Sequence, residues 1–392
     1  MKKALALFWL TAALSAQTFV VDANNGPGAQ FTDLQTAIDN VPDGAVLLIR
    51  GGSYSGFQLD GRAMTLLGDP GMEVTGHALV ANTAAHQTVA LRGMNFTGTA
   101  LSWQGNIALE LSNCAGPVWL EGLTSLPFYC DTFFGGCLEG QGLKASNCQQ
   151  LQLRACTVRR SRFEECATHL ANCVMSGISG GSVSSYAWPG LVVVSGSMQI
   201  SGATSITGGH GYNGWPWIAS TVGQPALYAG SGADIRVLDG SLTAGTSGGP
   251  FGPPPPIDLQ SAATIEIAPR VSLSPSSSLV RTPLPNLDSS SMTIGSASFA
   301  SVTTEPGDLV ILVFGLPGAP TVVSGVSEPL WINSSAYLFH TLAVQQGTSP
   351  VTGSVAVPND PLFRGFSIAW QAVVSSPGMP LQASNPSINL IR

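Results

Sequence analysis

The chain has 392 residues, 15 Lys and Arg against 22 Asp and Glu, and only 9% charged residues, far below the roughly 25% of an average soluble domain. Its 46 glycines and 27 prolines, set against so little charge, exclude coiled coils and long amphipathic helices, which need abundant Glu, Lys and Arg. A hydrophobic fraction of 44% excludes disorder along the whole length, and a net charge of −7 argues against nucleic acid, which demands a basic face.

Residues 1–16 read as a signal peptide. Lys2 and Lys3 form a positive start, Ala4 to Leu14 an apolar stretch too short to span a bilayer, and small residues follow for cleavage after Ser15 or Ala16. No later run approaches 18 apolar residues, so the expectation is an exported protein, secreted or at the cell surface, with no transmembrane segment after signal removal. Thr32-Asp-Leu-Gln35 has the form of a capping box. Leu34, Ala37, Ile38 and Val41 follow at helical spacing, and Pro42-Asp-Gly44 ends the segment. This predicts one short helix near 32–41 that caps the open end of a stack of strands. Ala45 to Ile49 is a continuous apolar run, as in a buried strand.

From residue 50 the segments are short, apolar and separated by Gly, Asn and Ser turns, as in Ala63–Leu67, Ile107–Leu111 and Leu151–Leu153. Such spacing is too tight for βαβ units. Self-similarity then separates a sandwich from a solenoid. Leu91-Arg-Gly-Met94, Leu111-Ser-Asn-Cys114, Leu153-Arg-Ala-Cys156 and Leu170-Ala-Asn-Cys173 each place a sulfur three residues after a leucine. Read as one vertical file, the four predict a right-handed parallel β-helix over 18–300. Neighbouring coils in it lie one interstrand distance apart, about 4.8 Å. Residues 248–256, rich in proline, form a stiff loop. Seven strand candidates between 304 and 392 predict a small antiparallel β-sandwich.

All seven cysteines lie between Cys114 and Cys173, without the paired spacing or nearby histidines of a zinc site. Neither a metal nor any other cofactor is expected. Disulfides are, because cysteines one coil apart fall inside the 4.4–6.8 Å Cα window: Cys148 with Cys166, Cys156 with Cys173, a local Cys130–Cys137 loop, and Cys114 left over.

Val21 to Pro70 carries GPGAQFTDLQTAIDNVPDGAVLLIRGGSYSGFQLDGRAMTLLGDP, which resembles the start of secreted right-handed parallel β-helix proteins of the pectin-lyase-like superfamily. The whole chain resembles planctomycete-type exported proteins that join such a helix to a sandwich tail. The resemblance implies the fold and the helical cap. It also sets a test for catalysis. Pectin methylesterases use two aspartates, two glutamines and an arginine on one face. Gln87-Thr-Val-Ala-Leu91 and Asp131-Thr-Phe-Phe-Gly135 resemble two of their segments, but the intervening Q-D-T-L and the late L-G-R-P-W are absent. Isolated Asp131, Asp234 and Asp239 offer no calcium cage and no clustered pair of the kind glycoside hydrolysis requires.

The expected role is therefore a non-catalytic module, carbohydrate-binding or structural, with a polysaccharide or cell-surface component as partner and no catalytic residue assigned. The alternative is a polysaccharide-active enzyme, a pectate or uronate lyase or a pectinesterase. The carbohydrate-binding candidates are Arg159, Arg160 and Glu164, from the dense cluster Arg154 to His169, and Tyr212, Trp215 and Trp217 on a glycine-rich loop.

Overall fold

The computed structural model describes residues 17–97, 107–125, 140–180, 187–213 and 220–392; the signal segment, Cys130, Asp131, Cys137, Trp215 and Trp217 lie outside them. From Thr18 to Ser274 every sheet pairing is parallel, and the chain returns to each face once per coil. The result is a parallel β-helix with three faces.

One face runs through Val46–Ile49, Met64–Gly68, Val89–Arg92, Val118–Glu121, Leu151–Arg154 and Cys166–Ala171. It is called the covered face below. The open face runs through Gly52–Ser55, Met72–Thr75, Asn95–Phe96, Thr124–Ser125, Thr157–Arg159, Val174–Ser176, Ser205–Thr207, Ser241–Thr243 and Ser272–Ser274. The charged face takes Gln58–Asp60, Ala78–Ala81, Ile107–Cys114, Gln141–Cys148 and Ser161–Glu164. The long strands Leu191–Ser201 and Leu227–Val237 each pass from the charged face onto the covered one.

Inward side chains stack by identity. Leu66, Leu91, Leu120, Leu153, Leu170 and Ile200 occupy successive rungs of one file. Each is buried, and together with its neighbours it forms one continuous core. Two corners are turned by a single residue at positive φ. Between the covered and open faces these are Gly93, Gly122, Ala155, Asn172 and Gly202; between the charged and covered faces they are Asn82, Asn113, Asn147 and Glu165. Gly and Asn dominate because the left-handed region costs them least. The asparagines also form a ladder, with Asn147 Nδ2 donating to Asn113 Oδ1 at 3.2 Å and Asn113 Nδ2 to Asn82 Oδ1 at 3.4 Å.

Those two corners correct the sulfur file. Leu111 pairs with Val80 and Ala145, not with Leu91. Leu111-Ser-Asn-Cys114 repeats the local geometry of Leu153-Arg-Ala-Cys156 (inward residue, outward residue, left-handed corner, inward sulfur), but on a different corner. The sulfurs therefore form two files, and all five described cysteines are free and buried. The pairs Cys148–Cys166 and Cys156–Cys173 are stacked, not bonded, in this structure.

The capping helix α1 spans Leu34–Asn40 and buries Leu34, Ala37 and Ile38 on the first coils. Its cap is Asp33, which accepts from Thr36 N at 2.7 Å, rather than the Thr32–Gln35 box. Gln35 instead reaches the backbone of Gln58, accepting from its N at 2.6 Å and donating to its O at 3.1 Å. The helix is thus tied to the first strand of the charged face.

The tail is antiparallel. Asn286–Ser289, Ala297–Thr303 and Val351–Ala356 form one sheet. The first two strands belong to the tail and not to the solenoid, so the antiparallel part starts before residue 304. Leu309–Thr321, Leu330–Val344, Ser367–Ser375, Gln382–Ala383 and Ser387–Leu390 form the second sheet. Trp370 is fully buried between the two.

Candidate functional site

The tail lies along the flank of the solenoid. Ala90 and Trp119 of the covered face join Trp331, Ala369, Ile388 and Leu390 in one apolar cluster. Gln152 Nε2 donates to Ile388 O at 3.3 Å, and Gln150 Nε2 to Gly318 O at 2.6 Å. Arg236 pairs with Glu328 at 2.9 Å. Arg154 is buried beneath the tail and donates to Asn389 Oδ1, Ser387 Oγ and the carbonyl of Ser289. Burial pulls its pKa down, opposed by the charge of Glu121, whose own carboxyl burial pushes up. His169 is fully buried beside it, with Nε2 at 2.8 Å from Ser201 Oγ. Burial first, and then Arg154, drive the imidazole down to about 3, so it is neutral.

The solenoid therefore disperses the charge cluster that looks compact in the sequence. Arg154 anchors the tail, and His169 is buried on the same face with Ser201 as its partner. Arg162 and Glu164 sit on the charged face as a half-exposed pair at 3.2 Å, in line with Glu110 and Lys144, which pair at 2.8 Å. Glu165 turns a corner. Only Arg159 and Arg160 reach the open face and its edge. Glu164 is turned away from them, so a groove joining Glu164 to both arginines does not form.

The open face has no tail above it. Apart from Ser125, whose Oγ donates to Gly142 O at 2.7 Å, its inward residues are apolar, among them Val74, Phe96, Val158, Met175, Ile206 and Leu242. Alternation along the strands turns the others outward: Ser53 and Ser55, Thr75, Asn95 and Thr97, Thr124, Thr157, Ser176, Ser205 and Thr207, Ser241 and Thr243, Ser272 and Ser274. Registered pairing sets these in two parallel files of hydroxyl and amide groups. Glu73 and Arg159 interrupt them as charges, and the half-exposed Val174, registered between Thr157 and Ser205, interrupts one file as an apolar group. At the edge toward the covered face a groove of about 430 Å³ runs past Gly71, Gly93 and Gly122 to Glu73, Asn95 and Thr124. Gly71 and Gly122 hold φ of +84° and +61°, and a Cβ on either would project into open space. Asn95 Oδ1 is buried and has no hydrogen-bond partner.

The opposite edge carries an aromatic that sequence reading missed. Trp188 is 37% exposed, and the Arg160 guanidinium lies 3.8 Å from its ring centroid. Trp188 belongs to a bundle of extended glycine-rich segments, 177–180, 187–190, 208–213, 221–225 and 244–248. Trp188 N donates to Ile178 O at 2.9 Å, Gly209 N to Trp188 O at 2.9 Å, Gly211 N to Thr246 O at 2.7 Å and Gly245 N to Gln224 O at 2.8 Å. The glycines permit this packing: a Cβ on Gly177, Gly209 or Gly245 would lie 2.0 Å from a carbonyl oxygen of the adjoining segment. Tyr212 sits half-buried in the same bundle, its N donating to Thr221 Oγ1 at 2.7 Å. The signal for Trp188 was there to be read, as a tryptophan before Pro189-Gly190 between two glycine runs.

Gln87 does not face a site of the esterase type. Its Nε2 donates to Gly61 O at 2.7 Å and its Oε1 accepts from Ala84 N at 2.8 Å, bracing a loop. Among the described residues no group of three or more His, Cys, Asp and Glu is placed to hold a metal ion, and no helix is long and apolar enough to cross a membrane.

No family model matches the chain, and no curated protein matches it. Among solved structures, the enzymatically active domain of tailspike protein 2 from bacteriophage CBA120 is similar over 93% of this chain and 74% of that one, at 10% identity and a TM-score of 0.36. A likeness of that size assigns no chemistry to the site, and the functional reading rests on the geometry above.

Proposed function

We propose that the protein is an exported, non-catalytic module that holds a polysaccharide on its open face, with Arg159 and the Arg160–Trp188 stack as the rim that orients the chain. The observation that carries this reading is the asymmetry of the faces. One is sealed by the tail and another is occupied by its own ion pairs. The third presents long registered files of hydroxyl and amide groups that donate and accept without desolvating a charge. The indole face suits the apolar face of a pyranose ring. Among the described residues lining the groove Glu73 is the one carboxylate, whereas glycoside hydrolysis divides its work between two.

A glycan array probed with the full chain tests the reading. Binding to a polysaccharide class is expected without release of new chain ends. Trp188→Ala should weaken it roughly tenfold or more, about 1.4 kcal/mol, and Arg162→Ala on the charged face should leave it unchanged. Retention of full affinity by Trp188→Ala and Arg159→Ala together, or steady release of oligosaccharide, overturns the proposal.

A further inference from the structure

The two sulfur files differ in number, and the difference has a chemical consequence. In the first, Cys114 is registered opposite Cys148. Ser146 pairs with Glu164, which sets Cys148 opposite Cys166 on the next coil. Each of the three thiols donates to the carbonyl two residues before it, Cys114 to Ser112 at 3.6 Å, Cys148 to Ser146 at 3.5 Å and Cys166 to Glu164 at 3.2 Å. The file ends at Gly196, opposite Cys166, where a Cβ would lie 2.3 Å from the Cys166 carbonyl oxygen. In the second file Arg154 pairs with Ala171, which sets Cys156 opposite Cys173, and those two thiols donate to the carbonyls of Arg154 and Ala171, at 3.3 Å each. All five are buried in the solenoid core. Adjacent rungs are about 4.8 Å apart, inside the window a disulfide spans without backbone movement.

We infer that Cys156 and Cys173 close into one disulfide between coils, and that Cys148 forms a second bridge that exchanges between Cys114 and Cys166. Each closure breaks two S–H bonds and makes one S–S bond. The two hydrogens pass to a disulfide-bearing oxidant such as oxidised glutathione, which leaves as two thiols. Exchange needs no further oxidant. The Cys114 thiolate attacks Cys148 Sγ, the Cys148–Cys166 bond breaks, and its electron pair leaves on the Cys166 sulfur, which takes up the proton that Cys114 gave up. The three sulfurs occupy successive rungs of one file, and the rate of displacement follows the thiolate fraction of the attacking group. The neighbouring Cys148 thiol draws the Cys114 thiol down to about 7 and that of Cys166 in the same direction, while the central thiol is itself pushed up.

The test uses the full chain, reduced in denaturant and refolded in a mixture of oxidised and reduced glutathione, then quenched in acid and mapped by peptic peptides. The expected result is a single Cys156–Cys173 pairing, together with both Cys114–Cys148 and Cys148–Cys166 in the same sample. Cys148→Ser should remove both of the latter and spare the former. Cys114→Ser should leave Cys148–Cys166 alone, and it serves if Cys148→Ser fails to fold. Alkylation of all five thiols after refolding overturns the inference, as does one fixed partner for Cys148 or any bond between files. Bridges that form in glutathione support it whether or not the chain is exported in its host.

Discussion

At the scale of single residues, the informative groups are those whose surroundings the solenoid dictates and the sequence does not display. Arg154 and Arg159 are five positions apart, yet one is sealed under the tail and the other projects from the open face. His169 is the sharper case. Its folded pKa, pushed from 6.5 to about 3, lies below its unfolded value, so between those limits the unfolded chain binds the extra proton and stability rises with pH. Acidification from pH 6.5 toward 3 therefore destabilises the native chain through this residue, by at most about 1.4 kcal/mol per pH unit. His169→Gln keeps a partner for Ser201 and removes the titration. Denaturant melts across that range should show the wild-type chain losing stability relative to the variant as pH falls; parallel curves for the two would contradict the burial of a neutral imidazole there.

At the scale of elements, the sequence displayed what is local and concealed what is set by register. The short apolar segments, the capping helix and the change of texture toward the tail were all legible, because each depends on periodicity within a few residues. The sulfur repeat was legible as a motif but not as a file, because two corners use the same inward–outward–left-handed–inward order. Ala145-Ser-Asn-Cys148 and Phe163-Glu-Glu-Cys166 belong with Leu111-Ser-Asn-Cys114, and only the change of the first residue hid them. The glycine-rich bundle was unreadable for a related reason: its segments are extended yet carry no alternation, since backbone packs directly against backbone. Gly209→Val tests that account. A side chain placed 2.0 Å from the Ile178 carbonyl oxygen should open the bundle locally, because the obstacle is backbone. Amide exchange should quicken over 177–180, 208–213 and 244–248 while the core strands Leu151–Arg154 and Cys166–Ala171 keep their protection. Unchanged exchange in the bundle would show that its packing is looser than the structure draws it.

At the scale of the whole molecule, the proposed function follows from which face the tail leaves uncovered. The resemblance to polysaccharide-active β-helices directed attention to a convergent acidic groove, and the charged residues instead divide among a buried anchor, surface ion pairs and corner turns. That division could not be read from a chain in which Arg154 to His169 form the densest charge cluster, because a solenoid distributes neighbours in sequence around its perimeter and gathers residues a full coil apart. The tail completes the selection by occupying the one face whose outward residues include Ala90 and Trp119. Carbene footprinting of the full chain, with and without a polysaccharide identified on the array, tests this most directly. The account predicts that labelling falls at Thr157, Arg159, Ser176, Trp188 and Thr207. Protection confined to Glu110, Lys144 and Arg162, or to the exposed tail strand around Phe339, with the open face labelled as before, would contradict it.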